Sequence, residues 1–223
     1  GAATGYVKTG ALGVCQTDNR RREWLRGAAM AGAFGIEMHE ISLKEAADLV
    51  PGMSTKDLVS VFYLPDDGHT NPLDTTQSLI KGAKMRGASV FEHTRVTGIN
   101  LKNGTVCGVS TESGDIACEY VVNCAGMWGR EVGKMVNVSV PLFAAEHMHA
   151  ITKPIDGIEK IFPTVRDFDG RTYFKCENGG ILLGGFEAVS KPWGMNGIPE
   201  KYMYTELQED WDQFEVFMDC GLK

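Results

Sequence analysis

The stretch from Thr94 to Gly126 reads TRVTGINLKNGTVCGVSTESGDIACEYVVNCAG. Three runs in it, Thr94–Leu101, Val106–Thr111 and Ile116–Asn123, are rich in strand-forming residues. Asn103-Gly104 and Ser113-Gly114 lie in the two connections, and both pairs suit tight turns. The segment is therefore expected to be an antiparallel meander. Its third run closes on Asn123, Cys124, Ala125 and Gly126, followed by Met127 and Trp128. A helix is expected from Gly129 to Met135.

Upstream, Tyr6–Cys15 reads as a strand, and Asp18 as the cap of a helix over Asn19–Ala33 that Gly35 ends. Ile36–Ile41 is a short strand candidate. Ser42 opens a second helix, with Glu45 completing a capping box, and Pro51-Gly52 stops it. Leu58–Leu64 is a strand closed by the turn residues Asp66, Asp67 and Gly68. Asn71-Pro72 reads as an N-cap followed by proline in the first helical turn, and this helix runs towards Gly87. Ala88–Phe91 then reads as a strand, so helix feeds strand as in α/β sheets. Downstream, Leu142–Thr152, Thr164–Arg166, Arg171–Cys176 and Gly180–Phe186 predict a second, more antiparallel sheet. Lys191–Lys201 is a Pro/Gly-rich loop, and Leu207–Met218 reads as a helix.

The chain has 223 residues, 43% hydrophobic and 23% charged, which suits a globular core. Its formal charge of -7 argues against a nucleic-acid surface. Arg20, Arg21 and Arg22 precede Glu23 and Trp24 and read as a solvated helix face. The six cysteines form no C-x-x-C pair, so they read as reduced thiols of an intracellular protein. No apolar run reaches the ~18 residues of a membrane span. No leader pattern is visible, and Asn137-Val138-Ser139 is a glycosylation triplet that occurs readily by chance. With no initiator Met and a last helix that reads as cut short, the chain is expected to be an internal piece of a longer protein.

Chemistry has few candidate positions. Ala125 and Gly126 permit main chain to approach a bulky ligand, and amides at the start of the next helix would face an anion. Taken alone, those residues are more simply a tight strand-to-helix turn needing small residues for packing; the meander that feeds into it favours the ligand. No G-x-G-x-x-G diphosphate loop is present. In Glu146-His147-Met148-His149, a two-residue period puts His147 and His149 on one strand face. That pair can ligate a metal, supply an acid–base group, or be ordinary polar strand residues; a third ligand cluster is lacking, so no metal is expected. Tyr173, in an alternating strand, either packs or presents its hydroxyl to a substrate. Gly184 and Gly185, before Phe186 and Glu187, again suit close backbone approach. No Ser/His/Asp order or Walker-type loop is present.

These residues resemble the FAD-dependent oxidoreductase family of dimethylglycine dehydrogenase, sarcosine dehydrogenase and dimethylglycine oxidase. The regulatory subunit of pyruvate dehydrogenase phosphatase, a relative of those enzymes, is equally similar. The matching pieces include Leu64–Gly68, Arg86-Gly87-Ala88, Thr94–Ile99, Val121–Trp128, Arg130–Gly133, Val140-Pro141-Leu142, Glu146-His147, Arg166-Asp167, Gly179–Leu182, Gly184–Glu187 and Glu209–Asp212.

The resemblance implies a mixed α/β (α+β) chain: part of a FAD-binding Rossmann-like domain with a β-meander, plus an antiparallel-sheet substrate domain. Residues at approximately 70–136 would belong to the FAD side, and 1–69 with 137–205 to the substrate side. It implies FAD as cofactor, with Val96 giving main-chain contacts to the adenine and Ala125, Gly126 and Trp128 beside the dinucleotide. His147 and Tyr173 match a paired His and Tyr that line the amine site. The implied reaction is oxidation of an N-methyl amine such as sarcosine or dimethylglycine; the alternative is a non-catalytic regulatory relative. A cofactor-free, thiol-rich structural domain is a third reading. Implied partners are a small amine and either an electron acceptor or a phosphatase catalytic subunit, with no nucleic acid and no membrane. Implied placement is the mitochondrial matrix. His149 stands where the family often carries Tyr, and the 223-residue piece is expected to be inactive alone.

Overall fold

The protein is described by a computed structural model covering residues 3–158, 161–199 and 202–221. In chain order the elements are β1 (Val7–Lys8), β2 (Ala11–Cys15), α1 (Asp18–Ala33), β3 (His39–Ile41), α2 (Leu43–Leu49), β4 (Ser60–Leu64), β5 (Gly68–His69) and α3 (Pro72–Lys84). Next come β6 (Val96–Lys102), β7 (Thr105–Thr111), β8 (Gly114–Ala117), a 3-10 turn (Gly126–Trp128) and α4 (Gly129–Lys134). The remainder is β9 (Ala144–Ala145), β10 (His149–Ile151), β11 (Thr164–Asp167), β12 (Thr172–Glu177), β13 (Gly180–Gly185), β14 (Pro192–Trp193) and α5 (Trp211–Gly221). The chain divides into two compact units. One holds Gly1–Gly82, His147–Ala188 and Glu209–Lys223, the other Ala83–Glu146 and Val189–Gln208.

Seven strands build the sheet of the first unit, in the order β10-β13-β12-β11-β2-β4-β3. The downstream strands β10, β13, β12 and β11 pair antiparallel as expected, and a parallel pairing of β11 with β2 joins them to β4 and β3 in one sheet. One face carries the core: Leu12, Val14, Val61 and Val165 pack with Ala46 and Val50 around α2 and with Ile158 and Phe162. Towards β13, Phe214 and Phe217 of α5 bury against Leu183. Each of these aromatic side chains removes a large apolar area from water, about 1.5–3 kcal/mol per residue. On the opposite face α1 lies over β2. Trp24 stacks on Phe62 with ring centroids 5.7 Å apart, and a Cβ on Gly13 would meet the indole at 2.1 Å. Glycine at position 13 is therefore what lets α1 sit so near the sheet.

Several boundaries differ from the sequence reading, each for a physical reason. The first strand breaks because Gly10 adopts φ +75°; Val7–Lys8 instead pairs with Gly68–His69. Gly68 is thus in a strand and not in the preceding turn. The helix cap is Thr17, whose hydroxyl accepts from the Arg20 N–H at 3.2 Å; Asp18 sits in the first turn, where its charge complements the helix dipole. Ser42 and Glu45 form the expected capping box, and Asn71 Oδ1 accepts from the Asp74 N–H at 3.1 Å ahead of α3. Ala88–Phe91 is not a strand, since a ladder needs a neighbouring edge and none among the described residues pairs with it. Helix α5 starts at Trp211, after Asp210 accepts from the Gln213 N–H. Residues 200 and 201 of the expected loop lie outside the described residues; earlier in it, Pro192–Trp193 pairs with Ala144–Ala145.

In the second unit β6, β7 and β8 form the expected meander. Asn103 and Gly104 take φ +53° and +78°, the two positive values of a type I′ hairpin. The third strand is shorter than expected: β8 ends at Ala117, and residues 118–125 form no ladder among the described residues. No helix of the described residues is long and apolar enough to cross a membrane.

Candidate functional site

Strand pairing lines up a row of residues across the main sheet. His149 faces Gly184, Gly184 faces Tyr173, Tyr173 faces Arg166, and Arg166 faces Gly13. Gly13 in turn faces Phe62. Directly paired residues share a face, so this row lies opposite the core that contains Leu12, Val14 and Val165. Helix α1 covers the Gly13–Phe62 end. At the other end His149 and Arg166 are exposed and Tyr173 is half-buried. Arg166 pairs with Asp67 at 3.3 Å, and Lys175, two residues beyond Tyr173, pairs with Glu177 at 2.7 Å.

Tyr173 has its ring over Gly184, where a Cβ would lie 2.3 Å from both Cζ and Oη. Burial raises the phenol above its ordinary pKa; Glu187 adds to the rise and Lys175 opposes it. The group therefore stays a neutral O–H donor at neutral pH. Phe186 follows β13, with its ring centroid 5.8 Å from Tyr173 and 5.8 Å from His147, nearly parallel to the latter at 21°. Glu187 then turns its carboxylate to His147, with Nδ1 to Oε2 at 3.4 Å. The Glu187 side chain is only 10% exposed.

The two residues singled out for the amine site thus meet through one ring. The route differs from the expected one. His147 is outside any strand, because Leu142–Thr152 splits into Ala144–Ala145 and His149–Ile151. The two-residue period therefore does not relate His147 to His149. Sequence reasoning missed Phe186 and Glu187 as partners of His147. Their signal was an aromatic and an acid placed directly after a Gly-Gly strand end.

In the other unit, Gly126 has φ +54° and nothing within 4 Å of where its Cβ would be, so main chain there is open to approach. The bend is organised by Asn123, a residue the sequence reading left without a role. Its Oδ1 accepts from the Ala125 N–H at 3.2 Å and its Nδ2 donates to the Gly129 carbonyl at 2.9 Å. Gly126–Trp128 forms a 3-10 turn, closed by the Trp128 N–H on the Ala125 carbonyl. The six-residue α4 follows it, so the expected run of helix-start amides after Gly126 is replaced by that turn. Trp128 is half-buried. Val96 opens β6, an edge strand of the meander, and is 37% exposed. An edge strand keeps unpaired N–H and C=O groups on its outer side.

Comparison with known proteins adds a family. The model described as FAD dependent oxidoreductase matches residues 1–219. The mitochondrial pyruvate dehydrogenase phosphatase regulatory subunit of Mus musculus is 37% identical over 226 residues, covering 100% of this chain and 26% of that protein. The mitochondrial sarcosine dehydrogenase of Mus musculus is 36% identical over 227 residues, covering 100% of this chain and 24% of the relative. The chain thus spans about a quarter of the length of the curated relatives it matches. Among solved structures, L-proline dehydrogenase from P.horikoshii aligns with a TM-score of 0.76 at 23% identity, covering 98% of this chain and 56% of that one. That similarity is one of fold.

Proposed function

This chain belongs to the FAD dependent oxidoreductase family, and we propose that the protein oxidises an N-methyl amine such as sarcosine or dimethylglycine. The observation that carries this reading is the shared ring: His147 and Tyr173 both lie against Phe186. Sarcosine dehydrogenase, a relative at 36% identity, supports the substrate class.

The residues present suit a dinucleotide. Gly126 offers open main chain, Ala125 adds only a methyl group, Trp128 lies at the same bend, and Val96 offers an outer strand edge. We assign these four to FAD. When bound, the flavin supplies the hydride acceptor. The chain's own task is orientation and proton handling. An amine gives up hydride only when neutral, so its proton must be held elsewhere. With Nδ1–H donating to Glu187, the His147 Nε2 lone pair can accept that proton. The Tyr173 O–H, neutral at working pH, can donate to a carboxylate or orient the amine. By this reading the unit with the meander serves the flavin and the unit with the large sheet serves the substrate.

A second reading has its own support. The regulatory subunit is 37% identical, and a non-catalytic relative would keep the same fold and hold a phosphatase catalytic subunit. Both relatives carry mitochondrial names, and we place this protein in the mitochondrial matrix. The deciding experiment uses full-length protein under anaerobic conditions. Bleaching of the flavin absorbance on adding sarcosine or dimethylglycine is the expected result. Bound flavin that no methylated amine reduces would overturn the enzymatic reading in favour of the regulatory one.

A further inference from the structure

Two cysteines flank the end of the β7–β8 ladder in the meander. β7 and β8 pair Gly108 with Ala117, Val109 with Ile116 and Ser110 with Asp115. One residue past the last pair of that ladder, the Cys118 N–H donates to the Cys107 carbonyl at 3.3 Å, which sets Cys118 across from Cys107. Side chains opposed on antiparallel strands have Cβ atoms about 4.5–5.5 Å apart, towards the wide end where the backbones are hydrogen-bonded as here. A disulfide asks for about 3.5–4.5 Å, so closing the pair needs a movement of roughly 1 Å.

Two local features favour that movement. At the neighbouring Gly108 a Cβ would lie 2.7 Å from the Ile116 carbonyl, so the two strands approach closely beside the pair. On the β6 side the register jumps from Asn100–Gly108 to Leu101–Val106, leaving Cys107 as the extra residue of a bulge. Bulged residues are free of the regular ladder and can re-aim their side chains. The Cys107 thiol donates to the Asn100 carbonyl at 3.4 Å, a bond that a χ1 rotation gives up. Both thiols are free; Cys107 is exposed and Cys118 half-buried.

We propose that Cys107 and Cys118 form a thiol–disulfide exchange site that takes a low-molecular-weight disulfide of the glutathione type. The deprotonated Cys107 sulfur attacks one sulfur of that disulfide. Its S–S bond breaks, one thiolate leaves and takes a proton from water, and a mixed disulfide remains on Cys107. Deprotonated Cys118 then attacks the Cys107 sulfur and releases the second small thiol. Two protein thiols are oxidised to one cystine, and one small disulfide is reduced to two thiols. The cystine ties the end of the meander to the segment that runs on to Ala125 and Gly126.

The test equilibrates the native full-length protein in glutathione buffers of stepped redox ratio, quenches it by acid and alkylation, and maps peptides by mass spectrometry. The expected result is a Cys107–Cys118 linked peptide, with both thiols lost together and restored by dithiothreitol. In Cys118→Ser, a stable glutathione adduct on Cys107 should replace the link. The proposal is overturned if the wild type carries only mixed adducts, links either residue to Cys124 instead, or keeps both thiols free in the most oxidising buffer. It also fails if Cys118→Ser leaves Cys107 unmodified, since Cys107 would then not be the attacking thiol.

Discussion

The ring of Tyr173 occupies the space that a side chain on Gly184 would need: a Cβ at that position falls 2.3 Å from the tyrosine Cζ and Oη. The two residues are paired across β12 and β13, so their backbones are held in register and the ring must give way. Gly184→Ala should therefore displace the ring and cost about 1–3 kcal/mol, the usual range for overpacking. Urea unfolding measures this. Combining Gly184→Ala with Tyr173→Ala should give a smaller loss than the sum of the single changes, because the clash needs both partners. Additive losses would show that the ring is not what meets the new methyl group.

His147 touches Phe186 and Glu187 without being part of a strand, so its removal should disturb chemistry more than folding. His147→Ala in the full protein is expected to slow amine-driven flavin reduction by about 10²–10⁴-fold, the range for losing an acid–base group. Flavin content after purification should stay near wild type. Stopped-flow absorbance and cofactor quantification check the two halves separately. An unchanged reduction rate would remove His147 from the reaction.

Glu40 receives Arg21 through both carboxylate oxygens, at 2.7 and 2.9 Å, and the Ser60 hydroxyl at 2.6 Å. Arg21 first, and Ser60 next, hold its pKa below the ordinary carboxylate value. A carboxylate with a depressed folded-state pKa stabilises the fold above its unfolded pKa. That contribution is lost as pH falls through the folded value. The stability gap between wild type and Glu40→Gln should thus be constant at neutral pH and shrink in acid, below the usual carboxylate range. Unfolding curves at stepped pH read it directly, and a gap independent of pH would contradict the pairing.

Cys15 is fully buried in β2, and burial, with help from Asp169, pushes its thiol up to about 12. At neutral pH it should carry almost no thiolate and resist alkylation. Iodoacetamide applied to native protein is expected to label the exposed Cys107 and Cys124 well before Cys15. Cys15 should react only as fast as the sheet unfolds. Early labelling of Cys15 in native conditions would show that β2 opens locally.

Local chemistry was readable where a few adjacent residues settle the conformation. The Ser42–Glu45 box, the Asn103-Gly104 hairpin and the Asn71-Pro72 helix start all formed as expected, since each contact spans at most a few residues. Even here neighbours compete: Thr17 and Asp18 can both cap α1, and the backbone at Thr17 is the extended one. Ala88–Phe91 and Tyr120–Asn123 have strand composition and no ladder among the described residues, because pairing depends on an edge that composition does not contain. The site divides the same way. His147 and Tyr173 stood out by their motifs, but the ring between them and the carboxylate on His147 come from a segment 40 residues away from it.

The order of residues was enough to set the caps, the tight turns, the apolar periodicity and the family likeness. All of these depend on neighbours along the chain or on matching motifs in place. Folding in three dimensions settled which strands pair, which face of the sheet carries Tyr173, how Gly13 admits Trp24, and that the Cys118 N–H reaches the Cys107 carbonyl. Those contacts join residues distant in the chain, and their geometry exists only once the sheets have closed.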